Sequence, residues 1–363
     1  MKKILITGGH LTPALALIEE LETEKDIELF FIGRKYATEN SKNVAAEFTI
    51  INKKNIHFYT LITGRLQRKF TRYTLTSLLK IPLGFFQSIY YLFSLKPNII
   101  VSFGGYISTP VVFAAWILGI TSVTHEQSIT PGLANKINAI FTRNTYVTWE
   151  ETKKYLKNAT VIGNPTRKLI FNRDTKNNKI KKFIGDSKEV IYVTGGNQGS
   201  HFINNIIFDS LSSIKDYKII HQVGATNYKG DLDKALKIKN SNYLALDYLD
   251  NDCIGYVLNS ASFVISRSGA NTVFELALLA KPSILIPLPI AASGEQLKNA
   301  LILKSAGSAI VLNQSETNPK LLLDSINVLN KNINQYRACA QKFQKTLPKN
   351  ASAKLKEVIL KLI

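Results

Sequence analysis

The chain has 363 residues, of which 45% are hydrophobic and 20% are charged, and its formal net charge is +20. The composition excludes an intrinsically disordered chain, and the length is sufficient for two hydrophobic cores. The excess of lysine and arginine favours an anionic partner, namely a phosphorylated substrate, an anionic membrane surface or nucleic acid. A lysine-rich proteome would produce the same charge, so the charge alone does not choose among these partners.

Cysteine content and hydropathy exclude further classes. Cys253 and Cys339 are the two cysteines, which excludes a disulfide framework and a cysteine-based metal site and favours an intracellular protein. The apolar run at the N-terminus is too short for a signal peptide. The uncharged stretch 81–95 is shorter than the roughly 20 residues that a membrane-spanning helix requires.

The first half of the chain predicts a doubly wound α/β domain. A strand over residues 3–7 ends in Gly8 and Gly9, and a helix follows with Thr12 as its N-cap and Pro13 at its first position. Further buried strands are expected within the apolar segments 28–33, 98–105 and 121–127. This alternation of strands and helices indicates a parallel sheet covered by helices on both faces.

Chemically useful residues stand at the carboxyl ends of these strands, where ligands bind in open α/β sheets. They are His10, Gly104, Gly105 and Glu126. His10 and Glu126 are both candidate general bases. The alternatives are a turn histidine with a structural hydrogen bond and a buried or capping carboxylate.

Residues 63–95 have a different character, because basic residues alternate with apolar and aromatic ones. For residues 65–82, an amphipathic segment on an anionic bilayer and a core helix with a cationic outer face are equally supported. For residues 83–95, a core helix is favoured and the aromatic residues 85–93 are expected to be buried.

The second half repeats the strand and glycine-turn pattern. A strand over 189–194 ends in the loop Gly195–Gly199, and a strand over 263–265 leads into the small-residue turn 266–270 and a helix. Backbone N–H groups at such a helix N-terminus favour phosphate. Glu275, about a turn and a half into that helix, suits the paired hydroxyls of a ribose, unless it is simply a solvated helix residue.

With these residues placed, the chain resembles the GT-B glycosyltransferases, and among them the MurG family of peptidoglycan synthesis. The matching motifs, in family order, are Thr7-Gly-Gly-His10 with Pro13, Phe103-Gly-Gly-Tyr106 with Pro110, His125-Glu-Gln127 with Gly132-Leu-Ala-Asn-Lys136, Gly163-Asn-Pro165 with Arg167, Gly195-Gly-Asn-Gln-Gly199, Ser266-Arg-Ser-Gly-Ala-Asn-Thr272 with Glu275, and Gln296 with Asn299-Ala300. Each motif is weak alone, and their order over residues 3–310 makes the set specific.

The resemblance implies an α/β fold with two Rossmann-like domains facing each other across a cleft. The N-terminal, acceptor and membrane-facing domain would span residues 1–162, and the C-terminal UDP-sugar domain would span 166–335. A C-terminal helix over about 340–363 would pack back on the first domain.

The resemblance also implies roles for individual residues. His10 and Glu126 would be catalytic. The residues implied for donor binding are Thr7, Gly8, Gly9, Ser128, Arg167, Gly196, Asn197, Gln198, Gly199, Leu249, Ser268, Gly269, Ala270, Asn271, Thr272, Val273, Phe274, Glu275 and Gln296. The residues implied for acceptor binding are Gly104, Gly105, Tyr106 and Asn135.

The implied activity is inverting transfer of N-acetylglucosamine from UDP-N-acetylglucosamine to lipid I, the undecaprenyl-pyrophosphoryl-MurNAc-pentapeptide, to give lipid II. The expected partners are UDP-N-acetylglucosamine, the polyprenyl-diphosphate acceptor and an anionic membrane surface, without nucleic acid, cofactor or metal. The expected location is the cytoplasmic side of the cell membrane, as a peripheral protein. One alternative is a GT-B transferase with another UDP-sugar, suggested by Asn197 and Ser128 where the family usually has Ser and Asn, or with another lipid acceptor, suggested by the short first glycine loop. The other is a non-enzymatic protein that binds anionic surfaces.

Overall fold

The computed structural model divides the chain into two compact units. The first unit contains Met1–Arg167 and Pro348–Ile363, and the second contains Lys168–Leu347. The structure describes residues 1–36, 44–64, 74–156, 158–187, 189–289 and 294–363.

The first unit is built on a seven-stranded sheet in which every pairing is parallel. The strand order is β3-β2-β1-β4-β5-β6-β7. The strands are β1 (Lys2–Thr7), β2 (Ile27–Gly33), β3 (His57–Thr60), β4 (Ile99–Ser102), β5 (Thr121–Glu126), β6 (Asn144–Val147) and β7 (Thr160–Val161). The helices that connect them are α1 (Leu11–Leu21), α2 (Ala46–Lys53), α3 (Thr74–Leu95), α4 (Ser108–Ile117) and α5 (Leu133–Phe141).

The second unit contains a six-stranded parallel sheet in the order β10-β9-β8-β11-β12-β13. Its strands are β8 (Val190–Thr194), β9 (Lys218–Gln222), β10 (Tyr243–Leu246), β11 (Phe263–Ser266), β12 (Ser283–Leu285) and β13 (Ala309–Val311). Its helices are α6 (Asn178–Ile184), α7 (His201–Ser210), α8 (Asp231–Leu236), α9 (Asn251–Ser260), α10 (Ala270–Leu278), α11 (Glu295–Ser305), α12 (Pro319–Lys331) and α13 (Ile333–Gln344).

Both sheets have the strand order of a doubly wound fold, in which the direction of progression reverses beside the first strand. The reversal lies between β1 and β4 in the first sheet and between β8 and β11 in the second. Helices that leave adjacent strands on opposite faces open a crevice at this point, at the carboxyl ends of the strands. Each unit therefore has a natural ligand site, and each such site carries one of the glycine turns of the sequence.

The last helix, α14 (Ala351–Lys361), returns to the first unit and packs against α1. Leu355 and Ile359 are fully buried in the same cluster as Leu17 and Ile18. Lys356 forms a 2.7 Å ion pair with Glu24. Residues 340–344 belong to α13 in the second unit, so the returning helix begins later than the sequence indicated, and the second unit extends beyond residue 335.

Two local expectations differ from the structure. The helix after β1 begins at Leu11, so Thr12 lies inside it, and His10 occupies the N-cap position without a side-chain capping bond. The segment 176–186 is polar and lysine-rich, which predicts an exposed surface segment, but it contains α6, whose Ile180 and Ile184 are buried.

Helix α3 has an outer face that the rest of the described chain leaves exposed. Phe86, Tyr90 and Phe93 are 66%, 69% and 72% exposed, so the expectation that the aromatic residues 85–93 are all buried is wrong for these three. The stretch Ser77–Leu95 is long and apolar enough to cross a bilayer by length and composition alone, a test that many core helices also pass. Residues 65–73 of the predicted amphipathic segment lie outside the described residues.

Removal of the Leu355 side chain by Leu355→Ala is expected to destabilise the first unit by about 2–5 kcal/mol, because a large buried side chain is lost near the end of the chain. Trp116 and Trp149 are the two tryptophans and both lie in the first unit, so urea denaturation followed by tryptophan fluorescence reports on it. The exposed neighbour Lys354→Ala is the control and should change the midpoint little. Equal midpoints for the two variants would contradict the packing of α14.

Candidate active site

Backbone atoms approach each other closely at the reversal point of the first sheet. Gly8 has φ +143°, and a Cβ there would lie 2.9 Å from the carbonyl oxygen of Gly104 and the carbonyl carbon of Phe103. Gly9 N–H donates to Gly104 O at 2.9 Å, and a Cβ on Gly105 would lie 2.9 Å from Gly9 N. The turns after β1 and β4 thus pack backbone to backbone, which requires glycine on both sides.

His10 is fixed by this packing. Its Nδ1 lies 2.8 Å from Phe103 O. A carbonyl oxygen accepts and never donates, so Nδ1 carries the proton and Nε2 is left as the basic nitrogen of the neutral ring. His10 therefore presents an oriented basic nitrogen at the start of α1. The same hydrogen bond that a structural histidine would make holds the ring in this orientation.

Glu126 is buried, and hydrogen bonds engage both carboxylate oxygens. Oε1 accepts from Ser128 N at 2.8 Å, and Oε2 accepts from Gly132 N at 3.1 Å and from Asn135 Nδ2 at 2.9 Å. Burial raises the pKa of Glu126, while the charge of His10 and these three N–H donors oppose the rise. This arrangement favours the interpretation of Glu126 as a buried, hydrogen-bonded carboxylate over its interpretation as a general base. Its hydrogen bonds position the loop before α5.

Asn135 supports the same loop. Its Nδ2 also donates to His125 O, its Oδ1 accepts from Thr124 Oγ1 at 2.9 Å, and its side chain is buried. A Cβ on Gly104 would lie 2.6 Å from Asn135 Nδ2. Asn135 therefore lies directly beneath the Gly104–Gly105 turn, where it shapes the predicted acceptor site with its side chain committed to internal bonds.

The remaining predicted residues of the first unit surround these groups. Thr7 Oγ1 is buried and has no hydrogen-bond partner among the described residues. Ser128 is buried, Tyr106 is half-buried, and Arg167 is half-buried at the end of the first stretch of the unit. The structure thus brings Thr7–His10, Gly104–Tyr106 and the Glu126 loop to the carboxyl edge of one sheet.

His125 is a fully buried histidine beside these groups. Its Nε2 donates to Gly163 O at 2.8 Å, and burial lowers its pKa to about 4. A neutral His125 joins β5 to the segment after β7. This role in the motif His125-Glu126-Gln127 is structural, and sequence reasoning did not assign it.

In the second unit, the loop after β8 is also held by glycine. Gly199 has φ +82°, and a Cβ there would lie 2.0 Å from Val223 O. Gly196 has φ +88° and open space where a Cβ would be. Asn197 and Gln198 are exposed at the top of the loop. Close backbone packing on one side and open space on the other leave this loop accessible to a ligand.

Helix α10 begins beside this loop. Its N-cap is Gly269, which makes no side-chain capping bond, and no acidic residue lies in the first turn. The first N–H groups of a helix have no intrahelical acceptor, and the helix dipole is positive at this end. The predicted turn from Ser268 to Thr272 is therefore suited to an anion.

Some of the other predicted donor residues lie near the start of α10 or on its partly exposed face, and others are buried in the core. Ser268 Oγ donates to Gln296 O at 2.8 Å, and Gln296 Oε1 accepts from Leu288 N at 3.0 Å, which brings α11 to the start of α10. Glu275 is half-buried on α10. The side chains of Val273, Phe274 and Leu249 are buried, so their side chains serve the core.

Arg267 lies beside the candidate site, and sequence reasoning assigned it no role. Its Nη2 donates to Ser200 Oγ at 2.8 Å, and its Nη1 donates to Ile286 O at 3.0 Å. Burial lowers its pKa to about 10, which leaves the guanidinium charged at neutral pH. Arg267 ties the loop after β8 to the ends of β11 and β12. The sequence feature that could have identified Arg267 is an arginine between two serines in a turn of small residues.

Comparison with known proteins identifies the family. Residues 7–147 match the glycosyltransferase family 28 N-terminal domain, and residues 190–357 match the glycosyltransferase family 28 C-terminal domain. The chain belongs to glycosyltransferase family 28.

Named relatives match over nearly the whole chain. The UDP-N-acetylglucosamine–N-acetylmuramyl-(pentapeptide) pyrophosphoryl-undecaprenol N-acetylglucosamine transferase of Clostridium kluyveri is 37% identical over 344 residues and covers 93% of each chain. A protein of the same name, numbered 2, from Bacillus cereus is 35% identical over 355 residues, with 94% of this chain and 96% of that one covered.

Solved structures agree on the fold. MurG of Acinetobacter baumannii matches with a TM-score of 0.74 at 21% identity, over 99% of this chain and 100% of that one. UDP-GlcNAc 2-epimerase of Neisseria meningitidis, bound to UDP-GlcNAc, matches with a TM-score of 0.67 at 16% identity, over 99% and 100%. The predicted α/β fold with two Rossmann-like domains of the GT-B class is confirmed, as is the resemblance to the MurG family. This family 28 protein is a glycosyltransferase, and the non-enzymatic interpretation is set aside.

Acid should destabilise the first unit through His125. Its folded pKa of about 4 lies below the ordinary value of 6.5, so the unfolded state binds more protons between these values. The contribution of His125 to the free energy of unfolding is therefore fully present above about pH 7 and is lost as the pH drops toward 4. Between pH 7 and pH 5 the free energy of unfolding should fall by about 2 kcal/mol from this residue alone.

Urea denaturation at the two pH values, followed by tryptophan fluorescence, measures the effect. His125→Gln keeps an amide donor for Gly163 O and removes the titrating ring, so its stability should change less with pH, whatever its absolute value. An unchanged pH dependence in the variant would contradict the assignment.

Proposed function

We propose that this chain transfers N-acetylglucosamine from UDP-N-acetylglucosamine to the N-acetylmuramyl-(pentapeptide) pyrophosphoryl-undecaprenol acceptor, lipid I, and thereby makes lipid II. The observation that carries the proposal is an oriented base, His10, and an uncapped helix N-terminus, that of α10, at the reversal points of two sheets in a family 28 chain. Relatives at 35–37% identity bear the name of this activity.

The donor nucleotide is assigned to the second unit. The first turn of α10 would bind the diphosphate through backbone N–H groups and the helix dipole, which stabilises the leaving UDP as negative charge develops. Glu275 would accept hydrogen bonds from the two ribose hydroxyls. The exposed Asn197 and Gln198 and the α11 residue Gln296 would contact the sugar and its phosphates.

The proton transfer is assigned to the first unit. A hydroxyl of the acceptor sugar attacks the anomeric carbon, the bond from that carbon to UDP breaks, and Nε2 of His10 takes the hydroxyl proton. Attack from the face opposite the leaving group inverts the anomeric configuration. Glu126 is assigned a positioning role, because its two oxygens already accept three hydrogen bonds.

A membrane surface is the proposed location of the acceptor, with the protein bound peripherally on the cytoplasmic side. On α3 the exposed residues recur at intervals of three or four, which places them on one face. They are Leu75, Leu79, Leu83, Phe86, Tyr90 and Phe93. Trp116 on the neighbouring α4 is also exposed, and Lys96 follows the end of α3. An apolar stripe with cations nearby suits an anionic bilayer surface.

Substitution of the base tests the reaction. With UDP-N-acetylglucosamine and lipid I, mass spectrometry should detect a lipid product one N-acetylhexosamine heavier. His10→Asn keeps an N–H donor for Phe103 O and removes the basic nitrogen, so kcat should fall by about 10²- to 10⁴-fold, while UDP binding should be unchanged.

Glu126→Gln is the comparison variant. In the wild type, both carboxylate oxygens accept hydrogen bonds from N–H groups. In the variant, the amide N–H₂ group would face one or more of these N–H donors, so thermal stability and activity should fall together. A stable Glu126→Gln variant without activity, beside an active His10→Asn variant, would reverse the assignment of the base. The absence of any lipid product from the wild type would refute the acceptor.

The membrane surface has its own test. The triple variant Phe86→Ser, Tyr90→Ser, Phe93→Ser should sediment with phosphatidylglycerol vesicles at least about tenfold more weakly than the wild type, because burial of each large apolar side chain contributes about 1.5–3 kcal/mol. Phe171→Ser, which removes an exposed aromatic residue of the second unit, is the matched control. Equal vesicle binding by the triple variant and the control would refute a role for this face.

A further inference from the structure

A polar pocket lies in the second unit, at the opposite edge of its sheet from the loop Gly195–Gly199, which is called the donor loop below. Ser262 and Pro282, which precede β11 and β12, form part of its wall, so the pocket is at the amino ends of these strands. Leu279 and Ala280 line it as well, which places it at the C-terminal end of α10. The cavity volume is about 530 Å³, within the range of small-molecule sites.

Three cationic side chains line this pocket. They are Arg173, before α6, Lys281, before β12, and Arg337, on α13. No carboxylate lines it, and within the described part of the chain no salt bridge pairs any of the three with an acid. Distant parts of the sequence therefore bring three like charges together. The carboxylate of Glu189 approaches the wall, because its Oε2 accepts from Ser262 Oγ at 3.4 Å, but it forms no salt bridge with any of the three among the described residues.

Lys281 is the innermost of the three. Its Nζ donates to Asn259 O and to Ala261 O, each at 2.8 Å, and so caps the end of α9. Burial, together with the charges of Arg337 and Arg173, lowers its pKa to about 8. An ammonium group has three N–H donors, and two are used here. The third remains for a ligand.

Capping of α9 accounts for Lys281 and leaves the two arginines unexplained. Arg173 and Arg337 are exposed, and like charges around one cavity repel each other. An anion that accepts from both guanidinium groups and from Lys281 would convert this repulsion into attraction. The planar fork of arginine matches the oxygens of a phosphate group.

We propose that this pocket binds the phosphate group of a small phosphorylated molecule, at a site separate from the donor loop. Arg173 and Arg337 would hold the phosphate oxygens, and Lys281 would complete the site from below. Ser260 and Gln341, also in the wall, offer polar contacts to the rest of the molecule. The two anion sites then lie at opposite ends of α10.

Calorimetric titration of the full chain with inorganic phosphate tests the proposal, with saturating UDP present throughout to occupy the donor loop. The wild type should bind phosphate, and the double variant Arg173→Gln, Arg337→Gln should bind it at least about tenfold more weakly, because two charge-assisted contacts are lost. Both arginines are exposed, so the variant should fold. UDP binding, measured separately, should be the same in both proteins.

Lys342→Gln is the matched control, because it removes an exposed cation from α13 without touching the pocket wall. Equal weakening in this control, or equal phosphate binding by the wild type and the double variant, would overturn the proposal, as would the absence of binding to the wild type. Glucose 6-phosphate and soluble dibutyryl phosphatidic acid identify the source of the phosphate. Tighter binding of the first than of inorganic phosphate indicates a free metabolite, and tighter binding of the second indicates a lipid headgroup.

Discussion

Close backbone contact at the carboxyl ends of parallel strands is the constraint on which both candidate sites depend. In the first unit Gly8 meets the backbone of Phe103 and Gly104, and in the second Gly199 meets the backbone of Val223. A side chain at either glycine would lie under 3 Å from these atoms, so each turn would have to move. The helix that follows β1 starts from the first of these turns, with His10 at its N-cap, and the second turn lies beside the N-terminus of α10 through the Arg267 contact with Ser200.

Much of the fold could be predicted from the sequence because strands buried on both faces are continuous apolar runs. The runs before Gly8, Gly104, Gly195 and Ser268 correspond to β1, β4, β8 and β11. The tail was harder, because α12, α13 and α14 have similar apolar spacing. The family resemblance implied that a C-terminal helix returns to the first domain, and the packing shows that this helix is α14, with Leu355 in the first core. Periodicity also could not show that Phe86 and its neighbours on α3 are exposed, because it identifies an apolar face and not what covers that face.

The candidate site was predictable where the chemistry is local. Glycine turns and an uncapped helix start are visible in consecutive residues, and so is a histidine at a strand end. Hydrogen-bond partners that come from distant segments of the sequence could not be predicted. Phe103 fixes the His10 tautomer from 93 residues away, Gly163 accepts from His125 across 38 residues, and Arg267 reaches Ser200 across 67. The three N–H donors to Glu126 change its interpretation from base to positioning residue, and only coordinates show that they reach both oxygens.

The central claim is that the second unit binds a uridine diphosphate sugar at the start of α10, and calorimetric titration with UDP-N-acetylglucosamine tests it most directly. The account predicts binding to the wild type and a loss of at least about tenfold in Glu275→Ala, because the ribose hydroxyls lose a charged acceptor. Arg173→Gln, which alters the opposite edge of the same sheet, should bind as the wild type does. Undiminished binding by Glu275→Ala would contradict the ribose assignment, and no binding by the wild type would contradict the donor.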